Sequence, residues 1–171
     1  MVAIPYFFKD TIKEKVIAIA NENLKATISL QDVDISLFKN FPKAQVTLSD
    51  FVLANKEPFV GDTLFAAKHL DVSLSISDLI SGNYNLLGAN VKDASVYVHM
   101  NQEGKGNFDI AKSTSDTTDE EPNNFSLDLK EYSIENLRFT FRDDTSKMSV
   151  ILDSLYHKGK GNFANQVLDL E

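Results

Sequence analysis

Apolar and polar side chains alternate with a period of two along most of this chain, and the alternation breaks beside an Asp or Asn. That feature most limits what the chain can fold into. Leu70, Val72, Leu74 and Ile76 alternate with Asp71, Ser73, Ser75 and Ser77, the pattern of a strand with one apolar face. Other runs change phase beside a carboxylate or amide, as in Leu30-Gln31-Asp32-Val33, Leu48-Ser49-Asp50-Phe51, Val91-Lys92-Asp93-Ala94 and Ile134-Glu135-Asn136-Leu137. A one-residue slip turns every later side chain to the opposite face, so each break predicts a bulge or tight bend. Asp50, Asp93 and Asn136 recur at intervals of 43 residues. A period of that size points to a repeated supersecondary unit rather than one closed barrel.

A second repeat is Gly104-Lys105-Gly106-Asn107-Phe108 against Gly159-Lys160-Gly161-Asn162-Phe163. Alternate glycines beside Asn are hairpin-turn chemistry, because Gly takes positive φ without steric cost. A phosphate-binding glycine loop would need a helix to follow, and Asn107-Phe108-Asp109-Ile110 reads as a strand instead. Short helical turns are expected at Ile35–Phe41 and at Ser77–Ser81, the latter with Ser77 as N-cap and Gly82 as stop. Ser113 to Pro122 is polar and acidic, and predicts a mobile loop over 112–124.

The first 25 residues differ in period. Phe8, Ile12, Val16, Ile19 and Leu24 form an apolar stripe at helical spacing, with Lys9, Asp10, Lys13, Glu14 and Lys15 on the other side. The segment predicts an amphipathic helix over 1–25 that packs on the domain. Tyr6, Phe7 and Phe8 followed by Lys9 also read as the membrane-proximal end of an anchor, whose stump would be residues 1–8. Those few residues are too short to span a bilayer. Leu170-Glu171 resembles a cloning scar after an apolar alternation, so the chain reads as a piece of a longer one.

Charge and composition narrow the chemistry. The 17 Lys and Arg stand against 25 Asp and Glu, a formal charge of −8, which disfavours nucleic acid as a partner. Cysteine is absent, excluding thiolate metal sites, cysteine catalysis and disulfides. His69, His99 and His157 are far apart and show no helical metal-ligand pairing, and no nucleophile elbow occurs. Asp143-Asp144 reads as a turn at a strand end. No catalytic residue, metal site or cofactor is expected; an enzyme would need one of the histidines to meet carboxylates in a cleft.

Several blocks together resemble the opening of the AsmA family. They are Pro5-Tyr6-Phe7-Phe8-Lys9-Asp10, Val33-Asp34-Ile35-Ser36-Leu37-Phe38-Lys39-Asn40-Phe41-Pro42, Phe59-Val60-Gly61-Asp62-Thr63-Leu64, Ser77-Asp78-Leu79-Ile80-Ser81-Gly82 and Gly104-Lys105-Gly106-Asn107-Phe108-Asp109-Ile110. Their order and spacing match across most of the chain, although family members are much longer. The resemblance implies an envelope protein of bacteria with two membranes, with an N-terminal helix in the inner membrane and a β-rich periplasmic body. It further implies phospholipid carried along an apolar groove, and support of outer-membrane protein assembly through partner proteins there.

The expectation is therefore an α+β, mainly β fold, with an N-terminal amphipathic helix packed on a strongly bent, largely antiparallel, half-open sheet. Its parts would be the helix at 1–25, a first sheet segment at 26–111, the acidic loop at 112–124 and a continuing segment at 125–171. Val46, Leu48, Leu70, Val72, Leu74, Ile76, Val96 and Val98 are expected to line either a lipid groove or a filled core. An alternative role is a structural module that binds a protein partner through a sheet edge.

Overall fold

The computed structural model describes residues 13–14, 17, 24–77, 81, 84–110, 125–162 and 167–170. Its elements are eight strands: β1 (Ala26–Ser29), β2 (Asp32–Asn40), β3 (Lys43–Asn55), β4 (Thr63–Ser75), β5 (Tyr84–Met100), β6 (Phe125–Asp143), β7 (Met148–Asn162) and β8 (Val167–Leu170). They form one open sheet in the order β1-β3-β4-β5-β6-β7-β8, with β2 also on β3. β1 and β2 lie end to end along the same edge of β3 in a shared register, Ser29 facing Val52 and Asp32 facing Ser49. All pairings are antiparallel except β5 with β6, which is parallel.

This overturns the expected fold class. Among the described residues no helix forms an element, so no helix packed on the sheet stands there, and the described part is a single mixed, open β-sheet rather than an α+β fold. Of residues 1–25, most lie outside the described residues, the anchor stump with Tyr6, Phe7 and Phe8 included; Ile17 packs against the core and Lys13 Nζ donates to the Gln31 carbonyl at 2.8 Å. The sheet is mixed, because a long connection after β5 returns β6 alongside it in the same direction, as parallel pairing requires. The expected helical turn at Ile35–Phe41 is instead the end of β2, where Ser36 faces Gln45 and Asn40 faces Lys43. A helical turn does start here, but Ile76 is already helical, so Ser77 lies within it rather than capping it; Ser81 N donates to the Ser77 carbonyl at 3.1 Å. Gly82 and the loop at 112–124 lie outside the described residues.

The 43-residue spacing acquires a structural meaning. Along most of its length β6 sits beside β5 at that offset, Val91 beside Ile134 and Ala94 beside Leu137. Asp50, Asp93 and Asn136 all adopt left-handed backbone, with φ of 49°, 51° and 57°. Asn136 Nδ2 donates to Asp93 Oδ1 at 2.6 Å, so the two slips stand side by side.

Directly paired residues share a face, which locates the slip in each strand. On one face lie Val46 and Leu48, then Phe51 and Leu53 in β3; opposite them are Val72 and Leu70, then Ala67 and Phe65 in β4. The same face continues with Ala89 and Val91, then Ala94 and Val96 in β5, and with Tyr132 and Ile134, then Leu137 and Phe139 in β6. Every one of these strands reverses phase at the same level. A lone bulge leaves a residue unpaired, but a slip shared by all neighbours keeps the ladder in register on both sides. β7 slips at Ser154, φ 55°, slightly displaced, and its register against β6 shifts there. The result is a transverse crease across the sheet.

The core sits on that face between β1 and β4. Leu30, Val33, Val46, Leu48 and Phe51 are buried together, flanked by Ile28, Ile35, Leu53, Phe65, Leu70, Val72 and Leu74. Burial of such side chains supplies about 1.5–3 kcal/mol each. Farther along, Gly159 of β7 lies under the Tyr132 ring, where a Cβ would come within 2.6 Å of Cε1. The aromatic thus covers backbone that a side chain would otherwise hold off.

The crease makes a sharp demand on position 50. Asp50→Gly should leave the urea midpoint unchanged or raise it, since Gly takes positive φ freely, whereas Asp50→Val should cost about 1–2 kcal/mol. Equal stability of the two variants would contradict a left-handed residue there.

Candidate functional site

Two features are candidates for function: the long apolar face, and a polar cluster at the end where β5 and β6 finish. On the apolar face the predicted residues divide. Val46 and Leu48 are buried in the core, and Leu70, Val72 and Leu74 pack against it, so these five are core filling. Val96 continues the face between Phe65 and Phe139, and Val98 stands beside Phe141; both are half-buried. Ile76 lies just past β4 and is half-buried in the turn that begins there.

Beyond β5 the face opens. β7 pairs Leu152 with Phe139 and Val150 with Phe141, which places both on the apolar side. Val150 is 39% exposed and Leu152 46% exposed, although their partners Phe139 and Phe141 are half-buried. Met148 is also exposed, and Ile151 and Tyr156 are exposed on the other face. These residues were not singled out from sequence. Their alternation (Val150, Leu152, then Leu155) was available as a signal, with the phase break at Ser154.

The opposite face is polar. Gln45, Thr47, His69, Asp71, Asn90, Lys92, Ser133 and Glu135 border a depression of about 530 Å³. Its groups bond one another: Thr47 donates to Asp71, Ser133 donates to Asn90 Oδ1 at 2.9 Å, and Lys92 pairs with Glu135 at 3.7 Å. At one end Lys43 reaches across β4 and β5 to Glu131 at 2.9 Å, above Ser73 and Gly88. That contact holds the Glu131 carboxyl below its ordinary range, but the pair is partly exposed and contributes little, below about 1 kcal/mol.

The polar cluster centres on His99, next to last in β5. Its Nδ1 lies 2.6 Å from Asp62 Oδ2 in the β3–β4 loop, and its Nε2 lies 3.0 Å from Asp144 Oδ2 in the β6–β7 turn. Phe59 meets the ring edge-on at 5.4 Å and Tyr97 lies at 5.7 Å. Burial alone would lower the His99 pKa, but the hydrogen bonds and charges of Asp62 and Asp144 outweigh it and raise it above the ordinary 6.5. Asp144 is held below 3.8, first by the hydrogen bond from His99 and then by Arg142, whose Nε donates at 2.8 Å. A raised histidine stabilises the fold below about 6.5 and loses that contribution as pH rises through its folded value. The lowered carboxyl does so above 3.8 and loses it as pH falls through its own. The cluster is therefore tightest in mildly acidic conditions.

This is the meeting of imidazole and carboxylates that an enzyme would need. Both ring nitrogens lie within bonding distance of carboxylates, and the ring is flanked by Phe59 and Tyr97. Among the described residues no group of three His, Cys, Asp or Glu could hold a metal ion. His69 is exposed on the polar face, and His157 stacks on Tyr132, whose Oη lies 2.9 Å from Nδ1.

The first glycine repeat builds this cluster. Asn101 Oδ1 accepts from the backbone N–H of Glu103 and Lys105, Gly104 takes φ 74°, and the loop folds back so that Gly106 bridges Met100. Asn107 is then 1% exposed. Its Oδ1 accepts from His99 N at 2.9 Å, its Nδ2 donates to the Tyr97 carbonyl at 2.8 Å, and Asn55 Nδ2 donates to its carbonyl at 2.6 Å. The second copy does not form a turn: Gly159–Asn162 belong to β7 and pair with β8, and Phe163 lies outside the described residues. The expectation of hairpin-turn geometry at both copies is thus corrected at the second, because pairing of Gly159 and Lys160 with β6 and of all four residues with β8 outweighs local glycine preference.

Asn107→Leu should destabilise the protein by about 2–4 kcal/mol, since it strands the Tyr97 carbonyl and His99 N–H in the interior. Asn107→Asp should do similar damage by setting a carboxylate against that carbonyl. Denaturation of both variants checks this, and near-normal stability of either would contradict the buried network. In comparisons with known proteins, no family model, no curated protein and no solved structure matches this chain.

Proposed function

We propose that the chain handles phospholipid without catalysis, as the membrane-proximal periplasmic segment of an AsmA-like envelope protein. The observation that carries this reading is the apolar face that begins as a filled core under β1–β4 and emerges as the exposed Val150 and Leu152 on β7. An acyl chain in water costs about 0.8 kcal/mol per methylene. A continuous apolar strip lowers that barrier with no cofactor, and an open sheet lets the chain slide along it. The motif resemblance supplies the remaining context: attachment to the inner membrane, and outer-membrane assembly proteins as partners.

A second reading is a protein-interaction module, favoured by the outer edge of β7. β8 pairs only with Gly159–Asn162, so near Met148 the outer edge meets no described strand. An extended partner could add there by main-chain bonding.

Mass spectrometry of the gently purified protein should show co-purifying phospholipid, lost or reduced at least about fivefold in Val150→Asp/Leu152→Asp. Both positions are exposed, so the variant should melt close to the parent. Absence of lipid from the parent, or equal lipid in the variant, would count against the reading.

A further inference from the structure

We propose that His99 is a proton-operated clasp: in its charged form it ties the β6–β7 turn to the β3–β4 loop, and loss of its proton frees the turn. The inference rests on hydrogen-bond chemistry rather than on the lipid reading. Carboxylates only accept, and a neutral imidazole carries a single N–H. His99 has a carboxylate oxygen at 2.6 Å from Nδ1 and another at 3.0 Å from Nε2. Both contacts are satisfied only by the imidazolium. In the neutral ring one nitrogen lone pair would face a carboxylate oxygen, and that contact must open.

The surroundings decide which contact opens. Asp62 faces the ring from the β3–β4 loop, Asp144 from the β6–β7 turn, Arg142 from the end of β6 by way of Asp144, and Tyr97 from β5 itself. Asp144 keeps Arg142 as a second cationic partner at 2.8 Å when His99 lets go, while among the described residues His99 is the cation that faces Asp62. The shorter Asp62 contact therefore survives and the Asp144 contact breaks. Asp144 N still donates to the Met100 carbonyl at 2.9 Å, so the turn loosens rather than unfolds. It leads directly into Met148 and Val150, and the clasp thereby sets how firmly the exposed end of the apolar face is held.

The test is nitrogen NMR of the three histidines in the intact chain, with amide exchange followed over 143–149 at each pH. His99 should carry protons on both ring nitrogens at mildly acidic pH and titrate above 6.5. As it titrates, exchange in the turn, corrected for the intrinsic pH dependence, should rise roughly tenfold, the loss of one charge-assisted hydrogen bond. His69→Gln and His157→Gln should leave exchange in the turn as in the parent. Asp144→Ala, which leaves nothing to bond Nε2, should exchange fast in the turn at every pH while His99 keeps its contact with Asp62. A His99 that titrates at or below 6.5 overturns the proposal. So does turn exchange that follows only the intrinsic dependence, or an Asp144→Ala protein with the parent's pH profile.

Discussion

In an extended strand each residue faces opposite to its neighbours, so one slipped position sends everything after it to the other face. In a sheet of six or more strands, a slip in one strand alone would put polar groups into the core and break the ladder beside it. Here β3, β4, β5 and β6 slip at the same level, and their pairing stays in register above and below. The rest of the structure depends on that agreement. It keeps one face apolar from Val33 to Leu152, and it places left-handed Asp50, Asp93 and Asn136 on a common line. Asp and Asn suit such positions because they tolerate positive φ better than other side chains that carry a Cβ.

The apolar face and the His99 cluster solve different problems. Packing secures the β1–β4 end, where Leu48 and Phe51 are buried. Toward β7 apolar side chains are left in water, so the sheet there relies on its ladder and its polar ends. The Asn107 amide, the His99 ring and the two carboxylates join the β3–β4 loop, the loop after β5 and the β6–β7 turn at one rim. Lys43 and Glu131 span the opposite face nearer the other end. A sheet held at its rims can leave an apolar surface open without collapsing onto it.

Much of this was legible in the residues, and the rest was not, for physical reasons. The alternation at Leu70–Ile76 and the slips at Asp50, Asp93 and Asn136 are local signals, and they mark strands and bends correctly. The parallel pairing of β5 with β6 was missed because alternation says which face a residue takes but not which strand lies beside it. Ile35–Phe41 misled because its polar residues also suit a turn; pairing with Lys43–Gln45 makes it a strand. The His99 cluster was invisible because Asp62 is 37 residues before it and Asp144 is 45 after it. Asn107 stood in a recognisable motif, yet only the folded loop shows that its amide, and not the glycines around it, is the buried part.

Cross-strand disulfide trapping tests the crease most directly where it passes from β6 to β7, because the slip of β7 at Ser154 is displaced from that of β6 and the chain has no cysteine of its own. Phe139→Cys with Leu152→Cys, and Leu137→Cys with Leu155→Cys, should each oxidise readily, since both pairs face one another on the apolar side. Leu137→Cys with Ser154→Cys should resist oxidation. An unbroken alternation through both strands predicts the reverse, with the 137–154 pair closing and the 137–155 pair staying reduced, and that result would contradict the crease.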